Sequence, residues 1–149
     1  MKYFAYSQKE FVYKYVVMMS DVDQFKHMSF ANYLKLMYLA SDALLSPVCS
    51  EYFLSAYRFQ NIGSRMQFKR QTVAGKSIVI KINSTNLGDE QFELLHTFLD
   101  EETAELVGLG WQKYCVMECL SGATVGLSNE ISLCLKPIEI DPNNLLYKY

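Results

Sequence analysis

The chain is predicted to form an α+β domain in which one long helix lies on a strongly bent antiparallel sheet. Three observations carry this. Residues 10–19, EFVYKYVVMM, alternate with a period of two. At Phe30 the period changes to that of a helix and holds to Leu45. Beyond residue 60 the chain reads as strand-like runs joined by short turns. With 149 residues, the simplest organisation is one domain, 1–149. A chain of this size buries roughly 68–70% of its unfolded surface and needs no staples to hold a core.

In the first strand, Phe11, Tyr13, Tyr15, Val17 and Met19 share one face, and Glu10, Val12, Lys14, Val16 and Met18 the other. Ser20 to Ser29 is a turn, because its Ser and Asp residues bond nearby backbone and cap helices; Ser29 is the expected N-cap. From Phe30, the residues Tyr33, Leu34, Met37, Ser41, Leu44 and Leu45 recur at helical spacing. Ala31, Leu36, Leu39 and Ala40 broaden that surface, so little of this helix should meet water. Ser46-Pro47 ends it, since the residue before Pro avoids the helical region. Residues 48–57 form a short helix or a lid-like loop.

Strands are then expected at 61–73, 76–86, 91–99 and 104–120. The turns between them are Ala74-Gly75, Gly88-Asp89-Glu90 and Asp100 to Thr103. Gly108 and Gly110 mark a bulge, a bend or a close backbone approach. The last apolar piece, ISLCLKPIEI (131–140), reads as an edge strand, the one place where a sheet tolerates Pro137. A single helix covers one face of such a sheet, so the other face and the edges should be covered by another subunit.

Net charge is −2, with no basic run, which argues against a general nucleic-acid binder. Cys49, Cys115, Cys119 and Cys134 form no C-x-x-C pair, and two histidines cannot complete a zinc set. Reduced thiols in a cytoplasmic protein are the expectation. No apolar run is long enough for a membrane span, and Lys2 is followed by mixed residues rather than a signal-peptide core.

Asp21 to Leu34, D-V-D-Q-F-K-H-M-S-F-A-N-Y-L, resembles the opening motif of hotdog-fold acyl-CoA thioesterases of the 4-hydroxybenzoyl-CoA thioesterase type. Members of that family carry a D-x-D turn after the first strand, often a Gly-His pair, then an N-x-x-Y or similar start of the helix. Asp21, Asp23, His27 and Tyr33 match at that spacing. The F-K-R-x-x-x-x-G-K stretch from Phe68 to Lys76 and the long strands after it extend the resemblance over roughly residues 8–120. Lys26 stands where the family commonly has Gly, and Met28-Ser29-Phe30 replaces the usual V-N-N.

The resemblance implies the hotdog fold: one long central helix wrapped by a bent antiparallel sheet of about five to six strands. It also implies hydrolysis of an acyl-CoA or acyl-carrier-protein thioester without cofactor or metal, at a site formed between subunits of a homodimer or homotetramer. Thioester hydrolysis needs a group to polarise the carbonyl, a group to activate water or attack directly, and an apolar slot. By the match, Asp23 is the general base or nucleophile, and amides at the helix start near Phe30 polarise the carbonyl. His27 orients Asp23, bonds substrate, or fills a polar gap. Asp21 supports the turn.

Lys26, Ser29, Phe30, Tyr33 and Met37 are the substrate-binding candidates around the turn and slot. Arg65 and Lys69 share a strand face and are candidates for CoA phosphates or the acidic surface of a carrier protein. His96 alternates with Phe92, Leu94 and Phe98 and is expected to be a core histidine with a hydrogen-bond partner. The alternative function is a non-catalytic acyl-thioester binder or sensor of the same fold. A hotdog dehydratase or hydratase ranks lower, because the helix lacks an early Glu.

Overall fold

The computed structural model of the chain describes residues 10–141 and 143. Strand β1 (Phe11–Val16) leads through a short 3-10 turn (Met19–Asp21) to α1 (Phe30–Leu45). Ser29 caps α1, its hydroxyl accepting from the amide of Asn32 at 3.4 Å. The helix stops where Pro47 enters the first turn of a 3-10 segment, Ser46–Val48. Residues 48–57 supply a short helix, α2 (Glu51–Ala56), capped by Ser50.

Four long strands follow: β2 (Tyr57–Phe68), β3 (Ser77–Thr85), β4 (Gln91–Asp100) and β5 (Leu106–Glu118). A two-residue strand, β6 (Thr124–Val125), pairs with the end of β5. The pairings between these strands are antiparallel, in the order β1-β3-β4-β5-β2.

Two expectations shift. The strand expected at 61–73 begins at Tyr57 and ends at Phe68. Tyr57 already pairs with Glu118, directly after α2. At the other end the ladder stops because the amides of Lys69 and Arg70 both donate to the carbonyl of Val107, at 2.8 and 3.1 Å. The chain then turns toward the start of α1, where Thr72 accepts from the amide of Met28.

The expected edge strand at 131–140 is instead a helix, α3 (Asn129–Leu135), continued by a 3-10 turn (Lys136–Ile138). Ile131, Leu133 and Leu135 alternate like a strand. Ile131, Leu135 and Ile138 also recur at helical spacing, and these three are buried while Leu133 is 67% exposed. Ser128 caps the helix, and Pro137 sits in the first turn of the 3-10 segment, where a missing N–H costs little. A single parallel bridge between Ser84 and Glu139 is all the strand character this piece retains.

The main core lies between α1 and one face of the sheet. Tyr33, Leu36, Met37, Ala40 and Leu44 pack against Ile78, Ile80, Ile82, Phe92, Leu94 and Phe98. Each Leu, Ile, Met or Phe among them contributes roughly 1.5–3 kcal/mol on burial. The helix approaches β5 closely because Gly110 has no side chain: a Cβ there would collide with the sulfur of Met37 and lie 3.1 Å from that of Met66. Gly108 likewise leaves room for the carbonyl of Gln67. The two glycines thus mark a close approach.

The opposite face carries a second cluster, Leu95, Leu99, Leu106, Leu109, Trp111 and Ile140. Ile140 reaches it from beyond α3, so part of this face is covered by the chain itself. The helix is also wetter than its composition suggests. Phe30 and Tyr38 are 52% and 62% exposed, on one stripe about two helical turns apart with Leu34 between them.

Candidate functional site

Residues 22–28 form a tight loop whose ends meet, Val22 bridging Met28. His27 in turn bridges Val73, which docks the loop on the segment after β2. Two aspartates hold the loop in different ways. Asp21 is buried, and its Oδ2 accepts from the Tyr15 hydroxyl at 2.6 Å and the Met18 amide at 2.8 Å. Its backbone carbonyl accepts from the side-chain amide of Asn32, tying the loop to the first turn of α1. Burial, reinforced by the bond to Asp21, pushes the Tyr15 phenol up to about 12. Asp21 is therefore the structural member of the pair. Asp21→Ala strands a phenol and an amide without their acceptor and is expected to cost about 2–3 kcal/mol, read from a urea denaturation midpoint.

Asp23 is exposed. Its Oδ1 accepts from the amides of Phe25 at 2.8 Å and His27 at 3.2 Å. Among the described residues its Oδ2 accepts no hydrogen bond. One oxygen fixes the carboxylate, and the other stays available to water or a ligand. The loop closes through Lys26, whose φ of 64° is left-handed. That conformation explains why a glycine suits this position. Lys26→Gly is expected to raise stability by about 0.5–1 kcal/mol, the relief of the left-handed strain less the added freedom of the unfolded chain. A lower midpoint in denaturant would mean instead that the lysine side chain contributes contacts.

Ser29 and Phe30 follow directly, so Asp23, Lys26, His27, Ser29 and Phe30 are gathered at one end of α1. The first amides of this 16-residue helix have no acceptor within it, and the helix dipole places partial positive charge there. Phe68, at the end of β2, stands over this end, its ring 5.9 Å from Phe30 and 4.9 Å from Tyr33. Phe68 is 45% exposed and was not among the sequence candidates. Its strand position gave no sign that it would meet the helix.

Tyr33 and Met37 are buried, Tyr33 also packing on Phe98 at 5.4 Å. Burial raises the Tyr33 phenol far above its usual range, so it stays neutral. Arg65 is not brought to this end. It lies on the opposite face of the sheet, with its guanidinium 4.1 Å from the centre of the Trp111 ring. Lys69 follows Phe68 at the end of β2.

A polar set deeper along α1 escaped the sequence reading in part. His96 was expected to have a core partner, and it has one: Ser41 Oγ lies 2.8 Å from its Nε2. Gln112 and Tyr114 join them. The Tyr114 hydroxyl donates to Gln112 Oε1 at 2.7 Å, and Ser41 to the same oxygen at 3.3 Å. The only sequence signal was parity, since Gly110, Gln112 and Tyr114 share a strand face.

No protein-family model matches the chain, and no curated protein matches it. Solved structures do. Slr0204 from Synechocystis, a 1,4-dihydroxy-2-naphthoyl-CoA thioesterase, is 15% identical over 85% of this chain and 96% of its own, with a TM-score of 0.78. The Dynemicin thioesterase, described with bound polyene, is 14% identical over 89% of this chain and 99% of its own, with a TM-score of 0.83. SAV2348 from Staphylococcus aureus, solved in complex with CoA, is 14% identical over 87% of this chain and 84% of its own, with a TM-score of 0.78. These likenesses show the fold: the chain adopts the hotdog fold.

Proposed function

We propose that the protein is a thioesterase that hydrolyses an acyl thioester carried on CoA or on an acyl carrier protein. The observation that carries this reading is Asp23. Its carboxylate is anchored through one oxygen and open at the other, beside the capped start of a long helix. Asp23 Oδ2 takes a proton from water as the water attacks the thioester carbonyl. The first amides of α1 receive the negative charge that develops on the carbonyl oxygen. The thiolate leaves when the tetrahedral intermediate collapses, and the proton returns to it. Direct attack by Asp23, giving an anhydride that water then opens, uses the same geometry.

His27, whose amide bonds Asp23 Oδ1, is the second catalytic candidate. The acyl group lies against Phe30, Tyr33 and Met37, and Lys26, Ser29 and Lys69 meet the pantetheine and phosphate side. Arg65 reaches the same ligand only from another copy of the chain, since within one copy it faces away. The exposed edge strand β2 and the exposed stripe of Phe30 and Tyr38 favour a shared site in a homodimer or homotetramer. Two of the similar structures are thioesterases and one binds CoA, which supports the substrate class.

The test is thiol release from a panel of acyl-CoA and acyl-carrier thioesters, with the mass in solution measured alongside. Turnover by a species of at least twice 17.2 kDa is expected. Binding of acyl thioesters without thiol release would assign the protein as a sensor instead. A monomer that turns over would remove the shared site.

A further inference from the structure

Midway along α1 the apolar lining of the inner face gives way to connected polar groups. Ser41, His96, Gln112 and Tyr114 are all buried, at 2%, 0%, 3% and 5% exposure. Burying four such side chains costs free energy that apolar packing would avoid, even when they are bonded to one another. Their bonds also have a direction. Gln112 turns its amide nitrogen toward Ser64 Oγ, at 3.5 Å, and its oxygen toward Tyr114 and Ser41. The Tyr114 proton is thereby committed to Gln112 Oε1. Ser41 Oγ is shared between Gln112 Oε1 and His96 Nε2, 2.8 Å away, and His96 Nδ1 has no partner among the described residues. Tyr114 is left presenting a lone pair rather than a proton.

Ser41 and Tyr114 line a cavity of about 270 Å³ together with Tyr38, Asp42, Arg58 and Asn61. Asp42 and Arg58 are exposed, at its rim. The cavity stands in line with the proposed catalytic turn. Helix α1 and strand β2 run side by side in opposite directions: Phe30 and Tyr33 meet Phe68, and Met37 meets Met66 over Gly110. Farther along, Tyr38 and Ser41 meet Asn61 across the cavity. The helical rise puts Ser41 about 16 Å from Phe30.

We infer that this cavity is a recognition site for a hydroxyl group carried on the distal part of the acyl chain, held by Tyr114 and Ser41. The inference rests on the thioesterase reading and names its substrate class: a long-chain hydroxyacyl thioester. A hydroxyl donates to the lone pair that Tyr114 keeps free, with Ser41 beside it. A ketone at the same carbon brings another acceptor and is rejected, and a plain methylene leaves the buried oxygens unpaired.

The test is kcat/KM for matched long-chain acyl-CoAs carrying a hydroxyl, a ketone or a methylene in the far half of the chain. The wild type is expected to prefer the hydroxyl over either by about tenfold or more, the value of one buried hydrogen bond. Tyr114→Phe is expected to bring the hydroxyl-to-methylene ratio close to one, and Ser41→Ala to lower it, with thermal melting to verify folding of each. Equal rates on the three chains, a preference for the ketone, or an unchanged ratio in both folded variants would overturn the inference. Should no thioester be cleaved, the catalytic reading fails by itself. Calorimetric binding of the free hydroxy and plain acids to the same proteins then decides the cavity separately: tighter binding of the hydroxy acid by wild type alone upholds it, and equal binding rejects it.

Discussion

Asp23→Asn is expected to lower kcat by about 10²–10⁴-fold, the usual range for a lost general base, while leaving the fold intact. The side-chain oxygen of asparagine accepts from the amides of Phe25 and His27 as Asp23 Oδ1 does, so the loop keeps its closure. The atom that changes is the one facing outward. An amide nitrogen in place of Oδ2 can neither take a proton from water nor attack a carbonyl. Single-turnover thiol release with wild type and variant, beside their melting temperatures, separates the two contributions. Equal melting with collapsed turnover is the expected pair of results. Unchanged turnover would move the chemistry to another residue, with His27 the first to examine.

Acid is expected to destabilise the protein through His96. Burial depresses its imidazole to about 4 from an ordinary 6.5, against the opposing pull of backbone carbonyls at Gly110, Met37 and Leu94. The folded state therefore resists protonation, while the unfolded chain accepts a proton near 6.5. Between those values the unfolded state binds more protons, so stability rises with pH across the window and is flat from this group above it. The loss approaches about 3 kcal/mol as pH falls to 4. Other acids titrate in the same range, so the measurement is a comparison. Urea midpoints at pH 7.5, 5.5 and 4.5 are taken for wild type and His96→Gln, whose side chain does not titrate. The two stability curves should converge on acidification. Parallel curves would show that His96 protonates as easily folded as unfolded.

Much of the fold was legible because its signals are local. Ser29 caps α1 with its own side chain, three residues from the amide it accepts. The change from period two to helical period at Phe30 needs no knowledge of the partner surface. Asp21 and Asp23 bond the backbone within a few residues, and the left-handed Lys26 lies where the glycine of similar motifs would. The carboxyl-terminal helix was misread for an equally local reason. Ile131 and Leu135 fit both periods, Leu133 completing the strand pattern and Ile138 the helical one, and only the burial of Ile131, Leu135 and Ile138 with Leu133 exposed separates them.

Long-range partners are another matter. Ser41 and His96 stand 55 positions apart, and Ser41 and Gln112 stand 71 apart. Each lies on a predictable face of its own element. Their meeting depends on His96 pairing opposite Gly110, and on α1 sinking far enough over that glycine for Ser41 to reach the imidazole. A period of two says which face a residue occupies but is indifferent to a slide by two residues along the neighbouring strand. The same holds for Phe68 above the start of α1. Capping, turn chemistry and periodicity are written in neighbouring residues and so specify the helix and the Asp23 loop. Register and packing depth are properties of the assembled sheet, and they alone bring the polar cavity into line with that loop.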